Sequence, residues 1–244
     1  KLLKISGFKA IFALKILIRQ ADMDEILQQI RTDLRRSMNG IASKSMREKG
    51  LHYKLNFGVD VPRLRELSKR YPIDVQLAEL LWRQETRELK ILATMLYPVH
   101  EFDMDKADEW VKEIPNHEIR EQVSMNLFQK LDFADKLVQK WTDSKDEEVR
   151  TSGYWLFARL LIVKSGLVNK TNQNEIMEKM ISDLSAGSYF LRLSAQRALT
   201  FLGRTAESFS KKILDGIQDL QTSGDAAKKE IFDSLSFEFT DFPD

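Results

Sequence analysis

The chain of 244 residues contains no cysteine. That absence excludes a disulfide framework, a thiolate zinc site, an iron–sulfur cluster and a cysteine nucleophile. Histidine is scarce as well: His52, His100 and His117 are the only three. None stands in metal-ligand spacing with another, so no metal site is expected. Five prolines and ten glycines are few for a turn-rich β fold. No apolar run is unbroken enough to span a bilayer. Neither a glycine-rich phosphate loop nor a serine nucleophile elbow occurs. No cofactor is expected, and any chemistry here must use side chains and water. Asn169-Lys170-Thr171 fits a glycosylation acceptor, but nothing else indicates secretion, and a cytoplasmic location is expected.

Hydrophobic residues make up 43% of the chain, enough for a sizeable core. The net charge is +1, but the charges are segregated. Residues 31–100 hold 14 Lys/Arg against 8 Asp/Glu, and residues 101–150 hold 8 against 14. An anionic partner should therefore prefer the first half, unless folding redistributes the charge. The acidic 101–150 block instead suggests a protein partner at the middle of the chain. Residues 1–22 are basic and apolar, with no acid before Asp22. They read as an extension that is not native, with the folded chain opening at Met23. The segment 233–244 has no base and several acids and reads as a tail or strap.

From Met23 the pattern is helical. Ile26, Leu27, Ile30, Leu34 and Met38 recur at steps of three to four, and so do Phe133, Leu137, Val138 and Trp141. Asp74, Asp103, Asn116 and Ser188 are placed as N-caps. Ser144 with Glu147, and Asn172 with Glu175, have capping-box spacing. Four segments share an apolar residue, a base, and a small or β-branched residue three further on. They are Leu89-Lys90 with Ala93, Ile119-Arg120 with Val123, Val149-Arg150 with Gly153, and Leu191-Arg192 with Ala195. Trp82, Trp110, Trp141 and Leu184 lie one short helix upstream. Self-similarity at this period predicts an all-α, HEAT-like helical-repeat solenoid, a single domain over residues 23–232. Such a domain is expected to be monomeric.

The segment GVDVPRLREL (58–67), then LW (81–82) and RE (87–88), then Trp141 and Arg150, resembles the AlkD-type DNA alkylation-repair family. The resemblance covers roughly residues 25–205. It implies a HEAT-like fold and duplex DNA as partner. Studied members of that family are glycosylases that excise N3- or N7-alkylated purines. Their chemistry uses a carboxylate near the sugar, an aromatic face and an arginine on phosphate. The helix expected to carry the aromatic and the carboxylate reads NHEIREQVSMNLF (116–128) and has neither Trp nor Asp. Glu121 is the nearest acid that could substitute, Arg150 the phosphate arginine and Trp155 the aromatic wall. The DNA-facing bases implied are Lys44, Arg47, Lys49 and Lys54 in one loop region, and Lys90, Arg120, Arg150 and Arg192 along the repeats. Two alternatives stay open. One keeps the DNA and drops catalysis, recognising damaged or branched DNA by shape. The other is a protein-interaction scaffold, in which the repeat bases cap carbonyls or pair with acids.

Overall fold

The computed structural model describes residue 19 and residues 21–240. The segment 1–22, expected to be a non-native extension, lies almost wholly outside these. Residue 19 and residues 21–36 are helical, so helix α1 starts upstream of Met23. Among the described residues no strand forms; Leu55 and Thr86 make one isolated parallel bridge. No helix among them is long and apolar enough to cross a membrane, and no cluster of His, Cys, Asp and Glu is arranged to hold a metal. The chain divides into two compact units, Lys1–Glu101 and Phe102–Asp244.

The first unit holds α1 and then α2 (Gly40–Glu48), α3 (Val61–Ser68), α4 (Val75–Trp82) and α5 (Arg87–Leu96). Its organising joint is the loop before α3. The Glu88 carboxylate, fully buried, accepts from Phe57 N at 3.1 Å and Val59 N at 3.2 Å. Arg87, also buried, donates to Val59 O at 2.7 Å and sits 3.1 Å from Glu88. Gly58 has φ +70°, and a Cβ there would stand 2.1 Å from Asn39 O. Only glycine fits both the left-handed backbone and that approach to α2. The two motifs 58–67 and 87–88 therefore meet in space, and their joint work is architectural.

The second unit is built from helix pairs. Helices α6 (Met104–Lys112), α8 (Ala134–Thr142), α10 (Gln173–Asp183) and α12 (Glu207–Gly216) form one layer. Helices α7 (His117–Asn126), α9 (Glu147–Ile162), α11 (Tyr189–Gly203) and α14 (Ala226–Thr240) form the other, with the short α13 (Gln218–Gln221) between α12 and α14. Asp74, Asp103, Asn116 and Ser188 cap their helices as expected. Asn172 caps α10 and also donates to Glu175. The Ser144 box does not form. Asp146 takes the cap of α9, while Ser144 Oγ accepts from Asp146 N; an Asx cap two residues later satisfies the first-turn N–H groups with a stronger, charged acceptor. Residues 233–240, expected in the tail, complete α14, and Leu235 and Phe239 bury its apolar face. The last four residues of the expected tail lie outside the described ones.

The repeat signature has a physical meaning in this layered arrangement. Trp82, Trp110, Trp141 and Leu184 are core residues. The small position admits the neighbouring helix: a Cβ on Gly153 would lie 2.8 Å from Thr142 N. A ladder crosses the first layer at similar intervals. Asp108 takes Lys140 and the Trp141 indole N–H at 2.9 Å, Asp143 takes Lys179, and Asn174 takes Lys212 at 2.9 Å. Within the acidic block Asp103 and Asp146 serve as caps, and Asp108, Asp143 and Glu148 hold partners one repeat away.

Candidate nucleic-acid interface

The four repeat bases all have structural partners. Lys90 Nζ donates to Trp82 O at 2.6 Å. Arg150 Nη1 donates to Ser144 O at 2.8 Å, and Arg192 Nη1 to Ala186 O at 2.7 Å and Gly187 O at 2.9 Å. Each of these three reaches back to a carbonyl at or beyond the end of the preceding helix. Arg150 also reaches forward to Asp183, Nε to Oδ2 at 2.7 Å. Arg120 is only 1% exposed; it donates to Ser152 Oγ at 3.0 Å and to Glu148. The second residue of each signature is thus a tie between neighbouring turns and repeats. A periodic base is not by itself a phosphate track.

The bases of the first unit stand differently. Lys44, Arg47, Lys49 and Lys54 are all exposed, on α2 and in the loop after it. Lys44 lies 3.8 Å from Glu48, a pair open to solvent that contributes little. Lys54 is held by Glu85 at 2.8 Å. Arg47 and Lys49 show no side-chain ion pair among the described residues. This is a basic, accessible surface of the kind that meets phosphates without reading sequence.

The second unit brings a different set together on α7, α9 and α11. His117 stacks on Phe190 with ring centroids 4.8 Å apart and meets Trp155 edge-on at 4.8 Å. Trp155, expected as an open aromatic wall, is 3% exposed. The Arg197 guanidinium covers it at 4.7 Å from the ring centroid and also approaches Phe201 at 5.8 Å. Arg159 lies one turn beyond Trp155 and donates from Nε to Gln129 Oε1 at 3.0 Å. Arg204 sits over Phe201 at 5.6 Å. Glu121 is half-buried, with its carboxylate 3.6 Å from His117 Nε2. Burial pushes the Glu121 carboxyl above its ordinary range, Arg197 and Arg159 pull it back, and Glu118 adds to the rise. Gln122, the neighbour of Glu121, is buried and accepts from Asn126 at 3.3 Å.

Of the three expected catalytic residues, Glu121 and Trp155 therefore belong to one cluster. Arg150 belongs to another, because five residues along a helix turn the side chain away by about 140°. Arg159, Arg197 and Phe190 were missed. The repeat period could have found Arg197: it stands five residues after Arg192, as Trp155 stands five after Arg150. Equivalent positions in adjacent repeats touch, and these two do.

His117 adds a titration. Burial, and then the charges of Arg120 and Arg197, lower its pKa to about 4. It is neutral at pH 7, which also suits a first-turn position at a helix N-terminus. At 3.6 Å from Glu121 the neutral ring makes no ion pair. Because the folded pKa is depressed, the unfolded chain binds the extra proton between about pH 6.5 and pH 4. Stability from this group is complete above about pH 6.5 and falls as pH drops toward 4, by up to about 3 kcal/mol. Glu121 works in the opposite direction, because its raised pKa favours the folded state at low pH. His117→Gln is expected to flatten the fall in stability between pH 6.5 and 4. Urea unfolding across that range checks it, and an unchanged slope would refute the assignment.

An all-α stack of helix pairs with an arginine–aromatic face defines a HEAT-like repeat protein. The sequence pattern of the family described as DNA alkylation repair enzyme matches residues 30–215. The chain belongs to that family. Among solved structures it is similar to one reported as "a new family of proteins related to the HEAT-like repeat DNA glycosylases with affinity for branched DNA structures". The two share 15% identity over 88% of this chain and 96% of the other, with TM-score 0.70, a likeness of fold. An engineered protein aligns at 15% identity over 76% of this chain and 52% of its own, TM-score 0.44. Computationally designed armadillo repeat proteins for modular peptide recognition align at 16%, over 73% and 91%, TM-score 0.42. No curated protein gives a significant match.

Proposed function

We propose that this chain is a DNA-binding protein that recognises damaged or branched duplexes by charge and shape, without cleaving the glycosidic bond. One observation carries the reading: Arg150 stands apart from the cluster that holds Glu121 and Trp155. Arg150 is tied to Asp183 and a turn carbonyl, Trp155 lies under Arg197, and Glu121 is half-buried beside His117. The surfaces that remain available are suited to binding. Lys44, Arg47 and Lys49 offer phosphate contacts in the first unit. Arg159 and Arg197 offer cationic and planar contacts in the second. The branched-DNA affinity reported for the similar structure agrees in kind, and shape recognition needs no base-edge contacts.

The second reading is a glycosylase, and the position of Glu121 favours it. A half-buried carboxylate facing two arginines could stabilise a developing oxocarbenium ion, and an N3- or N7-alkylated purine is a cationic leaving group needing little acid catalysis. One experiment separates the readings. Duplex carrying an N7-alkylated guanine is incubated with excess protein, and base release is followed together with binding. Binding without release beyond the spontaneous rate is the expected result. Release that disappears in Glu121→Gln would establish the glycosylase instead.

A further inference from the structure

Helices α11 and α14 of the second unit enclose a groove that the arginine–aromatic face does not use. Its volume is about 290 Å³, close to the lower end of ligand cavities (about 300–1,000 Å³), which suits a single ring system. Tyr189 stands at its rim, 61% exposed, an unusual position for a large ring. Its neighbour Phe190 stacks on His117 and meets the Tyr189 ring edge to face at 5.3 Å. The first turn of α11 thus carries two touching aromatic rings, of which Phe190 also stacks on His117 and Tyr189 is the more exposed.

The groove is polar where a base edge would lie. Gln196 donates from Nε2 to Ser234 Oγ at 3.1 Å, which leaves its Oε1 to accept. Glu230 is a second acceptor in the lining. Cations border the same space. Arg192 uses Nη1 on two turn carbonyls, leaving Nε and Nη2 as donors, and it also lines the adjoining small cavity together with Lys228. Asp225 in that cavity and Glu230 oppose them, so the surroundings are mixed in sign and not a general polyanion track. An aromatic face, amide and carboxylate acceptors, and a basic border match a nucleotide taken singly.

We propose that the α11–α14 groove receives one unpaired nucleotide of a bulged or branched DNA, its base stacked on Tyr189, its edge on Gln196 and its phosphate near Arg192. This rests on the DNA-binding reading above and gives it a structural preference that phosphate contacts alone cannot supply. Paired bases are unavailable to such a groove. A strand junction or bulge presents a base already unstacked, so the cost of extruding it is small.

The test compares a fully paired duplex with the same duplex carrying a one-adenine bulge, by fluorescence anisotropy at fixed salt. Wild type is expected to prefer the bulge by on the order of tenfold, the scale of one base–aromatic stack. Tyr189→Ala removes the preference and leaves the paired-duplex affinity unchanged, whereas Tyr189→Phe retains it. The ring is exposed, so neither change disturbs the core. If Tyr189→Ala keeps the full preference, or wild type has none, the groove proposal is overturned while DNA binding stands. If wild type binds neither duplex, both fall together.

Discussion

Replacing Glu88 by Ala is expected to destabilise the first unit by about 3–5 kcal/mol, the scale of an uncompensated buried charge. The substitution leaves Arg87 buried without its counter-charge and strips the acceptor from two buried N–H groups, those of Phe57 and Val59. A thermal scan should show a midpoint lowered by on the order of 10 °C. Gly58→Ala acts on the same joint from the other side, through the clash with Asn39 O and the left-handed backbone. The control is Glu85→Ala. That carboxylate is exposed and holds only Lys54, so its loss should change stability by less than about 1 kcal/mol. If Glu88→Ala proves as mild as Glu85→Ala, the joint does not hold the loop.

The second large effect concerns affinity. Converting Lys44, Arg47 and Lys49 together to alanine should weaken duplex binding by on the order of 10²-fold near 0.1 M salt. The slope of log K against log salt should fall by about three, one unit per lost phosphate contact. Arg120→Met provides the contrast. Its guanidinium is buried on Ser152 and Glu148, so its loss should lower the unfolding midpoint while the salt slope stays as it was. The opposite pattern, a slope that responds to Arg120 and ignores the triple variant, would return Arg120 to the DNA and remove the α2 surface from it.

The reasons for this contrast show what the sequence makes legible. A repeat is visible because burial imposes it: Trp110 and Trp141 recur, and Val123, Gly153 and Ala195 stay small where helices approach. The N-caps Asp103, Asn116 and Ser188 are visible because a short polar side chain before an apolar run has few other uses. The family resemblance was visible in GVDVPRLREL and RE, the same residues that prove to be a structural joint. The site was harder to read. Arg120 and Arg197 are both arginines on second-layer helices. What separates them is the helical angle of each and the partner one repeat away, neither of which is local in sequence. The resemblance alone makes Trp155 the aromatic wall, and nothing local in the sequence marks it as covered. It is covered because Arg197, at the equivalent position of the next repeat, lies across its face. Ser144 lost its cap to Asp146 by two residues, a margin that spacing rules do not resolve.

The measurement that tests the central claim most directly is the salt dependence of wild-type binding to a fully paired duplex, taken between about 50 and 200 mM salt. The account predicts measurable binding at the low end and a loss of at least about tenfold across the range, as expected for several phosphate contacts released together. Absence of binding at about 50 mM, or an affinity indifferent to salt, would contradict it.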